Sequence, residues 1–250
     1  MLTGPVQAAT LLGVSDHAAW MGTGDEAIVV SDRAAVRLPN ALELAVEELG
    51  RWIGSDDAVS VGDGMIRVGS LTAQARRWFD PRPSLGRCEK SQLRTNLERL
   101  RLTIGPVDGS GLLEALTDED AEAVLSSSLM LLGKGEGLTP EGDDVVAGAL
   151  ASHLLLGGAL GRHLPYFERL IRPLDDLTRT RTTSFSGALI RHALRGRVAL
   201  PFAQVLCALT GRGDLTSATN RLIAVGHSSG AALAAGLWIG GSALTRENDS

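Results

Sequence analysis

Hydrophobic and polar positions follow two different rhythms along this chain, and the change falls near Pro81 and Pro83. Upstream, short runs rich in Val and Ile alternate with Gly and Asp. Residues 27–30 and 34–38 read as strands about a turn at Ser31 and Asp32. Residues 58–61 and 65–68 flank Gly62-Asp63-Gly64, a hairpin signal because glycine supplies the positive φ of tight turns. Residues 41–52 carry helical spacing at Leu42, Ala45, Val46 and Leu49 inside this strand-like region, so helix and strand stay open there.

Downstream the period becomes helical. Leu93, Leu97 and Leu100 predict a helix over 91–102. Thr117 reads as an N-cap, with Asp118, Glu119 and Asp120 in a first turn favoured by the helix dipole, and that helix runs to about 132. Further helices are expected over 140–156, 164–177, 184–194, 201–209, 214–224 and 228–239. The fold class is therefore α+β: a β-rich N-terminal domain over 1–83 and a mainly helical domain over 84–250.

Three helix starts dense in Gly, Ser and Thr carry the candidate chemistry. The first is the stretch 133–144, Gly-Lys-Gly-Glu-Gly-Leu-Thr-Pro-Glu-Gly-Asp-Asp. Its alternate glycines, Gly135 and Gly137 among them, allow unusual backbone angles and close ligand approach. Thr139 suits an N-cap and Pro140 the first helical position, so free N–H groups and the positive dipole end would face an anion. No Gly-Lys-Ser/Thr follows, so this is not a Walker A loop. Asp143 and Asp144 would repel a bare phosphate. They fit a bridging divalent ion such as Mg, or the grip of an amide while the helix end holds the anion; a plain complement to the helix dipole is the bland alternative.

The second start is Thr182-Thr183-Ser184, with Arg181 placed to hold a carboxylate or phosphate; an ordinary N-cap beside a solvated arginine is its alternative. The third is Gly226-His227-Ser228-Ser229-Gly230, which fits the G-x-S-x-G nucleophile elbow. A hydrolase would need a histidine after the serine, and all five histidines lie at or before 227. The remaining readings are a hydroxyl-capped helix start and His227 as a proton donor, or a satisfied structural histidine. His153, His163 and His192 read as core or surface residues, and Trp20, Trp52, Trp78 and Trp238 as packing residues.

Composition narrows the partners. The net charge is −5, and aromatic residues make up 4% of the chain, so phosphate neutralisation and base stacking both lack material; nucleic acid is not expected. Lys90 and Lys134 are the only lysines among 24 basic residues, an arginine bias that fits a GC-rich bacterial genome. Cys88 and Cys207 stand alone, which suits a cytoplasmic, reducing home. The longest apolar stretches, 145–160 and 231–244, are too short or too interrupted to span a membrane.

The three motifs together, with Trp78-Phe79-Asp80-Pro81 upstream, resemble a bacterial family associated with the AllH subunit of oxamate carbamoyltransferase, in allantoin degradation; the resemblance covers about 15–240. It implies a transferase subunit that acts with partner subunits on a small anionic substrate, converting oxalurate and phosphate to oxamate and carbamoyl phosphate. It implies Asp143, Asp144 and His227 as catalytic residues. It implies Gly135, Gly137, Thr139, Arg181, Thr182, Thr183, Ser184, Ser228 and Ser229 as substrate-binding residues. Glu136, Glu141 and Ala232 stand where the family pattern favours Pro, Ser and Asp, which adds two acids to the loop and removes one after the His-Ser-Ser stretch. A non-catalytic ligand-binding or scaffold subunit is the alternative.

Overall fold

The computed structural model describes residues 2–246. The chain divides between Asp80 and Pro81 into two compact units.

The N-terminal unit is a curled seven-stranded sheet: β1 (Gln7–Val14), β2 (Ala18–Thr23), β3 (Glu26–Ser31), β4 (Ala41–Glu43), β5 (Val59–Gly62), β6 (Met65–Val68) and β7 (Leu71–Gln74), in the order β4-β3-β2-β1-β5-β6-β7. The strand β1 serves both halves. Gln7, Ala8 and Ala9 pair with β5, whereas Thr10 to Val14 pair with β2 around an irregularity between Leu11 and Gly13. Alternate residues of four strands, Ala19 and Met21, Ile28 and Val30, Val59 and Val61, Ile66 and Val68, are buried on one face with Leu49 and Ile53, as the two-residue strand period requires.

The hairpin expected at Gly62-Asp63-Gly64 forms. Asp63 and Gly64 both take positive φ, at 51° and 74°, between the paired Gly62 and Met65, which is the type I′ geometry that matches strand twist. Residues 34–38, expected as a strand, are a turn and irregular backbone. The carboxylate of Asp32 explains this: it accepts hydrogen bonds from the N–H groups of Ala34 (2.8 Å) and Ala35 (3.3 Å) and turns the chain out of the ladder. The helical spacing over 41–52 yields no α-helix. Ala41–Glu43 joins β3 as a parallel strand, and Leu49–Trp52 is one 3₁₀ turn. Trp52 and Trp78, expected as packing residues, are instead 57% and 69% exposed.

The C-terminal unit holds nine α-helices among the described residues: α1 (Lys90–Ile104), α2 (Ser110–Thr117), α3 (Ala121–Leu131), α4 (Glu141–Ala159), α5 (Glu168–Arg181), α6 (Ser184–Ala193), α7 (Leu200–Leu209), α8 (Leu215–Ile223) and α9 (Ser229–Thr245). None is long and apolar enough to cross a membrane. Thr117 closes α2 rather than opening a helix. Asp120 is the N-cap of α3, its carboxylate accepting from the N–H groups of Glu122 and Ala123, and the left-handed backbone of Glu119 (φ 55°) separates the two helices.

The centre of this unit is the pair α4 and α9. Both are buried nearly all round, as apolar helices in a core are. Their contact is backbone on backbone: an added Cβ at Gly236 would overlap the Val145 carbonyl oxygen, one at Gly240 the Ala149 carbonyl oxygen, and one at Gly148 would lie 2.6 Å from the Leu233 carbonyl oxygen. His153 of α4 directs Nδ1 to the Gly240 carbonyl of α9 at 3.0 Å, and burial holds its pKa down at about 4, so it is a neutral core residue.

Candidate functional site

The loop between α3 and α4 makes its turns with three glycines of positive φ: Gly133 (77°), Gly135 (116°) and Gly137 (87°). Only glycine fits at Gly133 for a second reason, since a Cβ there would overlap the carbonyl oxygen of Arg181. The loop then folds back over the helix it starts. The Lys134 carbonyl accepts from Gly142 N–H at 2.9 Å, and a Cβ on Gly135 would sit 2.6 Å from the Glu141 nitrogen. The N-cap position belongs to Pro140, with no side-chain cap, and not to Thr139. The first turn of α4 is thus largely covered by its own loop and is a poorer anion seat than the sequence suggested.

Asp143, on the first turn of α4, is fully buried. Its Oδ1 accepts from Gly133 N–H at 2.7 Å and its Oδ2 accepts the Thr182 hydroxyl. The next residue along, Thr183, is the N-cap of α6: its hydroxyl accepts from Ser186 N–H at 3.0 Å and donates to the Leu138 carbonyl at 2.6 Å. The start of α6 is therefore fastened at two adjacent threonines, by Thr182 to α4 and by Thr183 to the glycine loop.

The start of α9 reaches the same place. The Ser229 and Thr139 hydroxyls hydrogen-bond each other at 2.9 Å. Both face Asp144, which is buried and whose Oδ2 has no hydrogen-bond partner among the described residues. Burial pushes the Asp144 pKa up to about 7; the charges of Asp143 and Glu141 act in the same direction, and the Ser229 and Thr139 hydroxyls oppose them. This carboxyl thus holds its proton well above the pH at which an ordinary aspartate loses it. Ser228 caps α9 without a side-chain bond to the first turn.

The starts of α4, α6 and α9 accordingly converge. Asp143, Asp144, Thr139, Thr182, Thr183 and Ser229 are joined by direct contacts, with Gly135 and Gly137 in the loop between them and Ser184 and Ser228 beside them. His227 and Arg181 are both exposed: His227 makes no hydrogen bond among the described residues, and Arg181 meets the loop through its backbone carbonyl, which lies against Gly133. Asp143 and Asp144, the carboxyls considered for a Mg ion, sit side by side, and each oxygen of Asp143 accepts one hydrogen bond; no group of three metal-ligating side chains occurs among the described residues. The elbow reading of 226–230 falls, since helix α8, not a strand, precedes it.

Sequence reasoning passed over two glycines. Gly142 and Gly230 are the second residues of α4 and α9, and a Cβ on either would overlap a carbonyl oxygen, of Leu131 and of Leu222 respectively. Their signal was available, as glycine in a first helical turn where alanine would favour the helix.

Residues 131–241 match the family described as oxamate carbamoyltransferase subunit AllH. The family name implies a subunit of an oxamate carbamoyltransferase. No solved structure matches the chain. The matched segment contains all three helix starts, the whole of α4 and α9 as far as Gly241.

Proposed function

We propose that this chain binds a carbamoyl phosphate- or oxalurate-like anion where the starts of α4, α6 and α9 meet, as a subunit of a carbamoyltransferase-type enzyme working with partner subunits. The observation that carries the reading is the buried, unpartnered Oδ2 of Asp144 beside the Thr139–Ser229 hydroxyl pair. A buried polar atom without a partner costs free energy, and a ligand N–H would satisfy it.

The roles divide as follows. Asp144 accepts the ligand's carbamoyl N–H₂. The first turn of α9, uncapped by Ser228, faces the anionic end together with the Ser229 and Ser184 hydroxyls. Asp143 is a positioning residue, since its two oxygens hold Gly133 and Thr182 in place. The loop glycines Gly135 and Gly137 let the backbone approach the ligand. Such a transfer needs no covalent nucleophile, because orientation and fixed dipoles lower its barrier.

A specific observation favours the second reading, a binding subunit without its own catalytic group: His227, the implied proton donor, is exposed and unlinked to the cluster. Turnover in the assembled complex separates the two. A loss above tenfold in His227→Ala supports catalysis by this chain, and unchanged turnover supports the binding role.

The test of the site is thermal unfolding of the purified chain with carbamoyl phosphate. Ligand at about a hundred times its Kd stabilises by about 2.7 kcal/mol, a shift of several degrees at this size. The shift should disappear in Ser229→Ala. No shift in the wild-type chain, or an equal shift in the variant, would overturn the assignment.

A further inference from the structure

Asp143 and Asp144 follow one another on α4, yet their oxygens are used differently. Both oxygens of Asp143 are taken, one by Gly133 N–H and one by the Thr182 hydroxyl. Asp144 is 5% exposed, and its Oδ2 has no hydrogen-bond partner among the described residues. It is the free end of a buried carboxyl set where two long helices, α4 and α9, begin.

An oxygen so placed has two forms. Ionised, it only accepts; protonated, it donates. The ligand atom opposite must be complementary, because a mismatch leaves a buried polar group unpaired. A ligand carboxylate has no hydrogen to give, so it can meet Oδ2 only when Asp144 carries the proton. Against the ionised form it would set two like charges together out of water. A primary amide of the same shape donates through its N–H₂ to the ionised form and offers its carbonyl to the protonated one. The amide tolerates both forms, and the carboxylate only one.

The surroundings keep both forms within reach. Burial and the charges of Asp143 and Glu141, on the same helix, favour the proton; the hydroxyls of Ser229 on α9 and Thr139 on the loop oppose it, and the balance lies at about 7. The other charged or titratable groups close by are exposed: Lys134 and Glu136 on the loop, Arg181 before α6 and His227 before α9. Of these His227 is the one whose ionisation could mimic that of Asp144, so the experiment separates the two.

We propose that Asp144 determines specificity at the helix-start site, admitting small carboxylates that bear a primary amide in either of its forms and dicarboxylates of the same shape only in its protonated form. The inference rests on the function proposed above. Discrimination in favour of the amide therefore grows as pH rises through the titration of Asp144.

The experiment is calorimetric titration of the full chain with oxamate and with oxalate, which differ by an amide in place of a carboxylate. The oxamate-to-oxalate affinity ratio is expected to rise roughly tenfold or more between pH 6 and pH 8, following the loss of the protonated form. The rise persists in His227→Ala and disappears in Asp144→Asn. Heats measured in two buffers of different ionisation enthalpy give the same answer without the Asp144 variant: at pH 8 in His227→Ala, oxalate takes up a proton as it binds and oxamate does not. A ratio independent of pH, oxalate excluded even at pH 6, a rise abolished by His227→Ala, or a rise retained in Asp144→Asn would overturn this inference and leave the site standing. Binding of neither anion at any pH would overturn the function proposed above together with it.

Discussion

The hydroxyls of Thr139 and Ser229 lie 2.9 Å apart across 90 residues of sequence, joining the loop before α4 to the first residue of α9. That bond adds the start of α9 to the contacts that Thr182 and Thr183 make with Asp143 and Leu138. A double-mutant cycle with Thr139→Val and Ser229→Ala should give a coupling of about 0.5–1.5 kcal/mol in urea unfolding, the usual net worth of such a bond.

Asp143 is a heavier fastening. Asp143→Ala removes the acceptor of two part-buried bonds, from Gly133 N–H and from the Thr182 hydroxyl. Each should be worth about 1–3 kcal/mol, so the variant is expected to lose roughly 2–6 kcal/mol, read as a lower urea midpoint. Thr182→Val removes one donor and should cost less than half as much.

Asp144 behaves in the opposite sense. Its folded pKa of about 7 exceeds the ordinary 3.8, so between these values the folded state keeps a proton that the unfolded chain has released. This group's contribution to stability is complete below about pH 4 and is lost as pH rises through 7. Relative to wild type, Asp144→Asn should therefore gain about 2–3 kcal/mol on going from pH 5 to pH 8, at about 1.4 kcal/mol per unit. Unfolding curves at both pH values check this; a constant difference would show that Asp144 is not held protonated.

The α4–α9 seam should resist even a methyl group. Gly236→Ala places a Cβ on the Val145 carbonyl oxygen, and neither helix backbone can yield locally. A loss of about 2–4 kcal/mol is expected from overpacking, with the far-UV signal retained and the melting temperature lowered.

These outcomes bear on how much could be read from the residues alone. The helices with strong 3.6-residue stripes, such as α1 with Leu93, Leu97 and Leu100, were legible, as was the Asp63-Gly64 hairpin with its mandatory positive φ. The strands β1 and β2 were not, because the run around Leu11, Leu12 and Gly13 lacks clean alternation; the irregularity there shifts the register by one residue. The turn at Asp32 was legible but not its reach over Ala34 and Ala35, which removed the strand expected after it, and Asp120 took the cap expected of Thr117.

At the candidate site, the three hydroxyl-rich helix starts themselves were legible in the sequence. The partition of Asp143 and Asp144 was not. Adjacent and chemically identical, they differ because one side chain meets two donors and the other meets two hydroxyls already bound to each other. Such a distinction depends on Thr182, 39 positions from Asp143, and on a Thr139–Ser229 pair that spans 90 positions.

The glycine seam also sets a rule for divergence. With backbone touching backbone at Gly148, Gly236 and Gly240, the spacing of α4 and α9 is nearly incompressible and cannot be adjusted by exchanging side chains. The two helix starts they deliver are held at a fixed separation, like jaws cut from one block. On the function proposed above, a relative with a different ligand would vary what is mounted on the jaws, at positions such as Glu136, Glu141 and Ala232, while the gap between them stays the same.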